Sequence, residues 1–297
     1  MTPRRWRTQR ERSLVAWLVG IALGLLVTAA GWQLADITRT ALQQQSAATR
    51  LANEGVLALD LLASQLRQAG YSAPRRIAPR GMNGRPHESA SLLACDAGFV
   101  DPLASQHEAL RCLPASGTRQ AALAVRFEAD ADNSWTGAQG RPTDCRGTQI
   151  LPRDSALGSY TLVENRYFIR SHPTTGQPTL YCAGNGGAGF ASQPLFENVE
   201  EFVIEWSLPE AGQSANLPRW MSSDALDRAL QEDPGRWSRP AMARLCLLLR
   251  SAPGAAEHAL PHRGCDGEER WAADRAQRRL RQAFTATLRL PNLGTPP

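Results

Sequence analysis

The sequence predicts an α+β protein, with one long N-terminal helix followed by a mainly antiparallel β-sheet domain. Three observations predict it. The stretch from Ser13 to Ala35 carries no charged side chain over 23 residues. An apolar stripe at helical spacing carries the same pattern on to Ala69. Beyond it, short alternating apolar segments are separated by stretches rich in Gly and Pro, as strands are by turns.

At 1.5 Å of rise per residue the uncharged run is about 35 Å long, enough to cross a hydrocarbon core of ~30 Å. Arg4, Arg5, Arg7, Arg10 and Arg12 precede it with only Glu11 against them, so most of the chain's net charge of +5 lies in this tail. The remainder is close to neutral, and the chain has no Lys. Arg on the N-terminal flank holds that end in the cytoplasm and sends the C-terminal side across, and Trp6 and Trp32 flank the run as interface anchors do. A secretory signal peptide has a shorter apolar core and a small-residue cleavage site; Val27-Thr28-Ala29 matches such a site weakly. A retained anchor fits better, because Ala41, Ala48, Leu51, Gly55, Leu59, Leu62, Leu66 and Ala69 continue one helix face. Asp36, Arg39, Arg50, Glu54 and Arg67 occupy the rest of that surface. The stripe is expected to pack on the following domain or on neighbouring copies, and Gly70 is the expected stop. The resulting division is a basic cytoplasmic tail over 1–12, a membrane span over 13–35, an amphipathic continuation over 36–70 and a periplasmic β-rich domain over 71–297.

In the body, Tyr71–Arg85 reads as a connector, and Leu92–Cys112 gives little periodicity. Strands are predicted over Ala121–Phe127, Tyr160–Val163, Arg166–Arg170, Thr179–Cys182, Val199–Leu208, Ala241–Arg250 and Phe284–Leu290. A short helix is predicted over Ser222–Gln231 and a longer one over Glu268–Gln282. No internal repeat is visible. All six cysteines follow the apolar run, and none forms a C-x-x-C pair, which suggests disulfides in an oxidising compartment. Six cysteines permit about 15 connectivities, and sequence alone does not choose among them. The expectation adopted is sequential pairing, Cys95–Cys112, Cys145–Cys182 and Cys246–Cys265, each closure stabilising by roughly 2–4 kcal/mol.

Candidate sites for chemistry have plainer readings. Gly184-Asn185-Gly186-Gly187-Ala188-Gly189 lacks the helix that must follow a phosphate-binding loop, and reads as a connecting loop. His258 and His262 are separated by Pro261 and lack paired cysteines, so they read as loop residues rather than zinc ligands. Glu128, Asp130, Asp132 and Asn133 lack the Gly and distal Glu of a calcium loop, and read as a solvated acidic turn. There is no G-x-S-x-G, and His87, His107 and His172 have no recognisable partner pattern. The eight Trp read as core and interface groups. No catalytic residue, cofactor or metal is expected, and a near-neutral body without a basic patch predicts no nucleic-acid partner.

The N-terminal segment Arg10-Glu11-Arg12-Ser13-Leu14-Val15-Ala16-Trp17-Leu18-Val19 resembles the prepilin motif of type IV pilins, and specifically of the PilW family of minor pilins. Leu59–Ala63 and Leu66–Tyr71 resemble the end of the PilW helix. In the body, Thr143–Gly147, Glu164–Ile169, Leu180–Gly187, Gln193–Phe202, Ala243–Arg250 and Arg279–Phe284 are similar to family segments in the same order. Two features depart from the motif. Glu11 stands where prepilin peptidase cuts after Gly and Arg12 where the family has Phe, which leaves processing open. Ala16 replaces the Glu that in the family pairs with the N-terminal amine of a neighbouring subunit, so an uncut chain would lack both members of that pair.

The resemblance implies a pilin-like fold and a structural, non-enzymatic subunit that primes or caps a type IV pilus. It implies a single-pass inner-membrane protein with its C-terminal domain in the periplasm. The implied partners are other minor pilins and the major pilin, met through the N-terminal helix. A type II secretion pseudopilin has the same architecture, and a membrane-anchored periplasmic enzyme or binding domain is the reading from another class.

Overall fold

A computed structural model describes residues 5–77, 82–86, 91–114, 117–209, 218–233 and 235–293. The side chains of Glu11 and Arg12, and all of His87, lie outside the described residues.

The N-terminal helix α1 runs without interruption over Arg5–Gln68. It begins before the uncharged run, because Arg and Gln are good helix formers. It ends at Gly70, whose φ of 77° is the left-handed value that closes a helix. The Gly70 N–H donates to the Arg126 carbonyl at 3.0 Å, so the first group beyond the helix is already tied to the sheet.

By compactness the chain separates into one unit ending at Thr49 and a second over Arg50–Pro297. The second unit includes α1 from Arg50 onward, and Leu51 is the first buried α1 side chain among the described residues. Of the predicted stripe, Leu51, Gly55, Leu62, Leu66 and Ala69 are buried, Ala58 replaces Leu59 as the buried neighbour, and Ala41 and Ala48 are exposed.

Two antiparallel sheets, the largest among the described residues, dominate the second unit. The first is a meander of β1 (Leu92–Cys95), β2 (Ala122–Glu128), β3 (Leu162–Ser171), β4 (Pro178–Gly184) and β5 (Ala191–Glu197), in that spatial order. The second contains β6 (Val199–Ser207), β7 (Met221–Ser222), β8 (Met242–Arg250) and β9 (Arg281–Arg289), in the order β7-β6-β8-β9. Asn198, with φ 64°, turns the chain from β5 into β6. The Ala121 N–H donates to the Phe202 carbonyl at 2.8 Å, and the Phe202 N–H to Arg119 at 2.8 Å, which joins the two sheets.

Leu51, Leu62 and Leu66 of α1 belong to one core with Leu123, Val125, Phe127 and Tyr167 of the first sheet and Phe202, Ile204, Trp206, Leu245, Leu247 and Phe284 of the second. A Cβ on Gly55 would stand 2.3 Å from the Phe284 ring, so the absence of a side chain there lets β9 approach the helix. The reverse face of the first sheet has its own small core of Cys95, Phe99, Leu110, Ala122, Ala124, Phe168 and Tyr181. A short helix, α2 (Ser223–Ala229), is capped by the Ser222 hydroxyl and fastened to the end of β1 by Asp96, which accepts from Ser223 N at 2.9 Å and Asp224 N at 3.0 Å.

Three sequence expectations change. Leu162–Val163 and Arg166–Arg170 are parts of one strand, β3, whereas Tyr160 ends a separate short strand paired with Arg153–Ser155. Leu92–Cys95 and Ala191–Glu197 are strands that periodicity did not reveal. The expected helix over Glu268–Gln282 does not form: a two-residue strand Glu269–Arg270 pairs with His262–Arg263, a 3₁₀ turn spans Arg275–Gln277, and β9 begins at Arg281. The charges there are drawn to the sheet instead, with Arg270 on Glu201 at 2.6 Å and Arg281 on Glu200 at 2.8 Å.

Candidate functional site

The first unit offers an uncovered apolar surface. Every described side chain from Leu14 to Gln43 is exposed, among them Trp17, Val27, Trp32 and Ile37, and the helix is long and apolar enough to cross a membrane. Ala16 lies on this surface as one more small apolar residue. A soluble body rarely leaves so continuous an apolar face open to water, and side chains of this kind are suited to lipid or to similar helices.

In the second unit the structure contains the disulfides Cys95–Cys112, Cys145–Cys182 and Cys246–Cys265, with Cα separations of 5.3, 6.3 and 5.7 Å. The first closes the loop that covers the reverse face of β2, and the third ties the loop before β9 to β8. The second joins two of the segments that carry the family resemblance. Around it, the Asp144 carboxylate accepts from Arg146 Nη2 at 2.9 Å, Thr148 N at 3.0 Å and Gly186 N at 2.9 Å. A Cβ on Gly184 would lie 2.2 Å from Asp144 and one on Gly186 2.5 Å from the Thr148 carbonyl, so this part of the Gly run is needed for close backbone approach. Cys145 N donates to Asn165 Oδ1 at 2.9 Å, and Asn165 Nδ2 donates to Gln65 Oε1 on α1 at 2.7 Å. The pieces at 59–71, 143–147, 164–169 and 180–187 thus form one brace between helix and sheet.

A buried charge cluster, not foreseen from the sequence, lies on the other side of β3. Glu164 accepts from Arg166 Nε at 2.7 Å and lies 3.3 Å from His107 Nδ1 and 3.4 Å from Arg126 Nε. The Arg166 side chain has no exposure, donates to the Pro102 and Ala104 carbonyls and lies 3.5 Å over the Phe190 ring. Burial pushes the Glu164 carboxyl up, but the hydrogen bond to His107 and the charges of His107, Arg166 and Arg126 outweigh it and hold the group below its ordinary value. Glu164 and Arg166 alternate onto one face of β3, the one signal of this cluster that a sequence carries.

The remaining candidates are also structural. Glu128 is buried rather than solvated: it accepts from Ser72 Oγ and Ala73 N, both at 2.8 Å, and pairs with Arg75 at 2.7 Å, fixing the exit from α1. Asp130 accepts from the N–H groups of Asp132 and Asn133 and closes its own turn. His172 accepts from Thr174 N and Thr175 N in a surface turn. His258 is exposed, while His262 faces Arg281, Arg270, Glu200 and Glu201, and burial first, then the Arg281 charge, lowers its pKa. Nearby, Arg119 and Arg270 clamp Asp266, whose carboxyl is held down to about 2, chiefly by the Arg119 hydrogen bond. Trp206 and Trp237 meet edge to face in the core at 5.8 Å, whereas Trp135 and Trp271 are exposed.

Most of β3 and all of β4 to β9 lie in the part of the chain that a known family matches. Residues 166–292 match PilW, the family of type IV pilus-assembly protein W. The PilW match includes Cys182, Cys246 and Cys265 and stops short of α1. Among solved structures, a type IV-like pilin from Thermus thermophilus is similar at 14% identity and a TM-score of 0.39, over 83% of this chain and 98% of that one. No curated protein matches the chain.

Proposed function

We propose that the protein is a PilW-like minor pilin, a structural subunit of a type IV pilus that helps prime or cap the fibre. The PilW match over 166–292 carries this reading. The apolar helix, exposed throughout its described part up to Gln43, supports it, since such a surface suits a bilayer and afterwards the packed helices of a fibre. On this reading α1 anchors the chain in the inner membrane, the disulfide-braced unit stands in the periplasm, and the helix meets other minor pilins and the major pilin. The role is assembly rather than catalysis. The same architecture would serve a type II secretion pseudopilin, but the PilW match favours the pilus.

Glu11 and Arg12 make processing the point to test. Mass spectrometry of the N-terminus, in membrane and sheared-fibre fractions from cells producing the protein, is expected to find it in both. A mature form starting at Arg12 would mean that the peptidase accepts Glu11. Absence from fibres, together with unchanged fibre number on deletion of the gene, would overturn the assignment.

A further inference from the structure

A groove of about 670 Å3 lies in the second unit between α1, the loop 132–145 and the helix-facing side of the first sheet. Its helical wall runs from Leu57 to Gln68, and its opposite wall includes Trp135, Leu195 and Phe196. Leu57 and Trp135 are exposed by 61% and 72%, unusual for large apolar groups flanking a cleft. The Tyr167 side chain in the lining is fully buried and, among the described residues, its hydroxyl has no hydrogen-bond partner; Oε1 of Gln68 in the wall is likewise unpartnered. A buried polar atom without a partner is costly, so a ligand that hydrogen-bonds it is favoured.

Charge and length define the ligand. Among the described residues the lining holds Asp60, Asp132 and Asp144 and no Arg or Lys. Asp144 is bonded to Arg146, whereas Asp60 and Asp132 are exposed and make no ion pair among the described residues. The wall from Leu57 to Gln68 rises about 16 Å, which about five extended residues would span. We infer that this groove binds a short extended peptide segment of a partner protein, with a basic side chain between Asp60 and Asp132 and apolar neighbours against Leu57, Trp135 and Phe196. The inference does not depend on the pilus reading.

The test uses the full-length protein in detergent micelles and two fluorescein-labelled pentapeptides, Ala-Leu-Arg-Leu-Ala and the same peptide with Glu in place of Arg, followed by anisotropy. The Arg peptide is expected to bind, and the Glu peptide to bind about tenfold or more weakly. Asp60→Asn with Asp132→Asn is expected to weaken the Arg peptide by about tenfold, since solvent screens pairs as exposed as these. Tyr167→Phe, which keeps the ring and removes only the hydroxyl, is expected to weaken both peptides. Equal binding of the two peptides, no binding of either, or indifference to the double Asp variant would overturn the proposal. So would self-association of the wild type, seen by sedimentation, that the double variant abolishes, because the groove would then belong to a second copy of this chain.

Discussion

Glu164 and Arg166 leave β3 on one side and meet where water is excluded, with His107 and Arg126 completing the set. Glu164→Gln keeps the volume and removes the charge, leaving the fully buried Arg166 guanidinium unmatched. A loss of about 3–5 kcal/mol in unfolding free energy is expected, read by urea denaturation. The acid limb follows from the same geometry. The native carboxyl titrates below its ordinary value, so the unfolded chain binds the proton first as pH falls. The stabilisation is present above the ordinary carboxylate range of about 4 and is lost as pH drops through the lower native value. Glu164→Gln should flatten this part of the stability–pH curve. His107 had no readable partner because Glu164 lies 57 residues away. The end of α1 was easier to read, since a Gly after a periodic stripe carries its meaning locally.

The contact of Gly55 with Phe284 decides how closely α1 approaches β9. Gly55→Val would drive two methyl groups into the ring, and a loss of about 2 kcal/mol is expected despite valine's better helix propensity. Phe284→Ala in the same chain should make the combined loss smaller than the sum, as a denaturation double-mutant cycle would measure. Long patterned elements were legible: α1, β2, β6 and β9 announce themselves by period, and β8 by a continuous apolar run. In β6 the buried residues Val199, Phe202, Ile204 and Trp206 break strict alternation, because a bulge between Val199 and Glu201 absorbs one residue. β5 was missed because Gln193-Pro194 reads as a break, and an edge strand tolerates Pro. The segment 268–282 has helix-forming composition, but Gly267 at φ 78° and Arg278 at φ 46° bend it and Glu200 and Glu201 capture its arginines. Tertiary charge outweighed local propensity there.

At the scale of the molecule, the boundary between the two units at Thr49 and Arg50 has a direct test. A chain beginning at Arg50 retains Leu51, Ala58, Leu62 and Leu66 and is expected to be soluble and to melt cooperatively. A chain beginning at Tyr71 loses side chains worth about 2 kcal/mol each on burial and is expected to aggregate. Size-exclusion chromatography and circular dichroism would distinguish the two, and a folded chain from Tyr71 would contradict this account of the core. The helix and the sheet class were legible at this scale, because each rests on a pattern repeated over many residues. The groove beside α1 was not, because it is assembled from segments with no common sequence period.

The strand carrying Phe284 follows every other strand in the chain, and Leu293 beyond it sits where a Cβ on Gly70 would come within 2.7 Å. The berth for α1 is therefore finished by what the ribosome makes late. A nascent polypeptide halted before Arg281 would hold Gly55 without Phe284 and Gly70 without Leu293, leaving that part of the helix open to proteases and chaperones. Translation through β9 thus acts as a clock on maturation: only then can the chain close the seat of the buried part of α1.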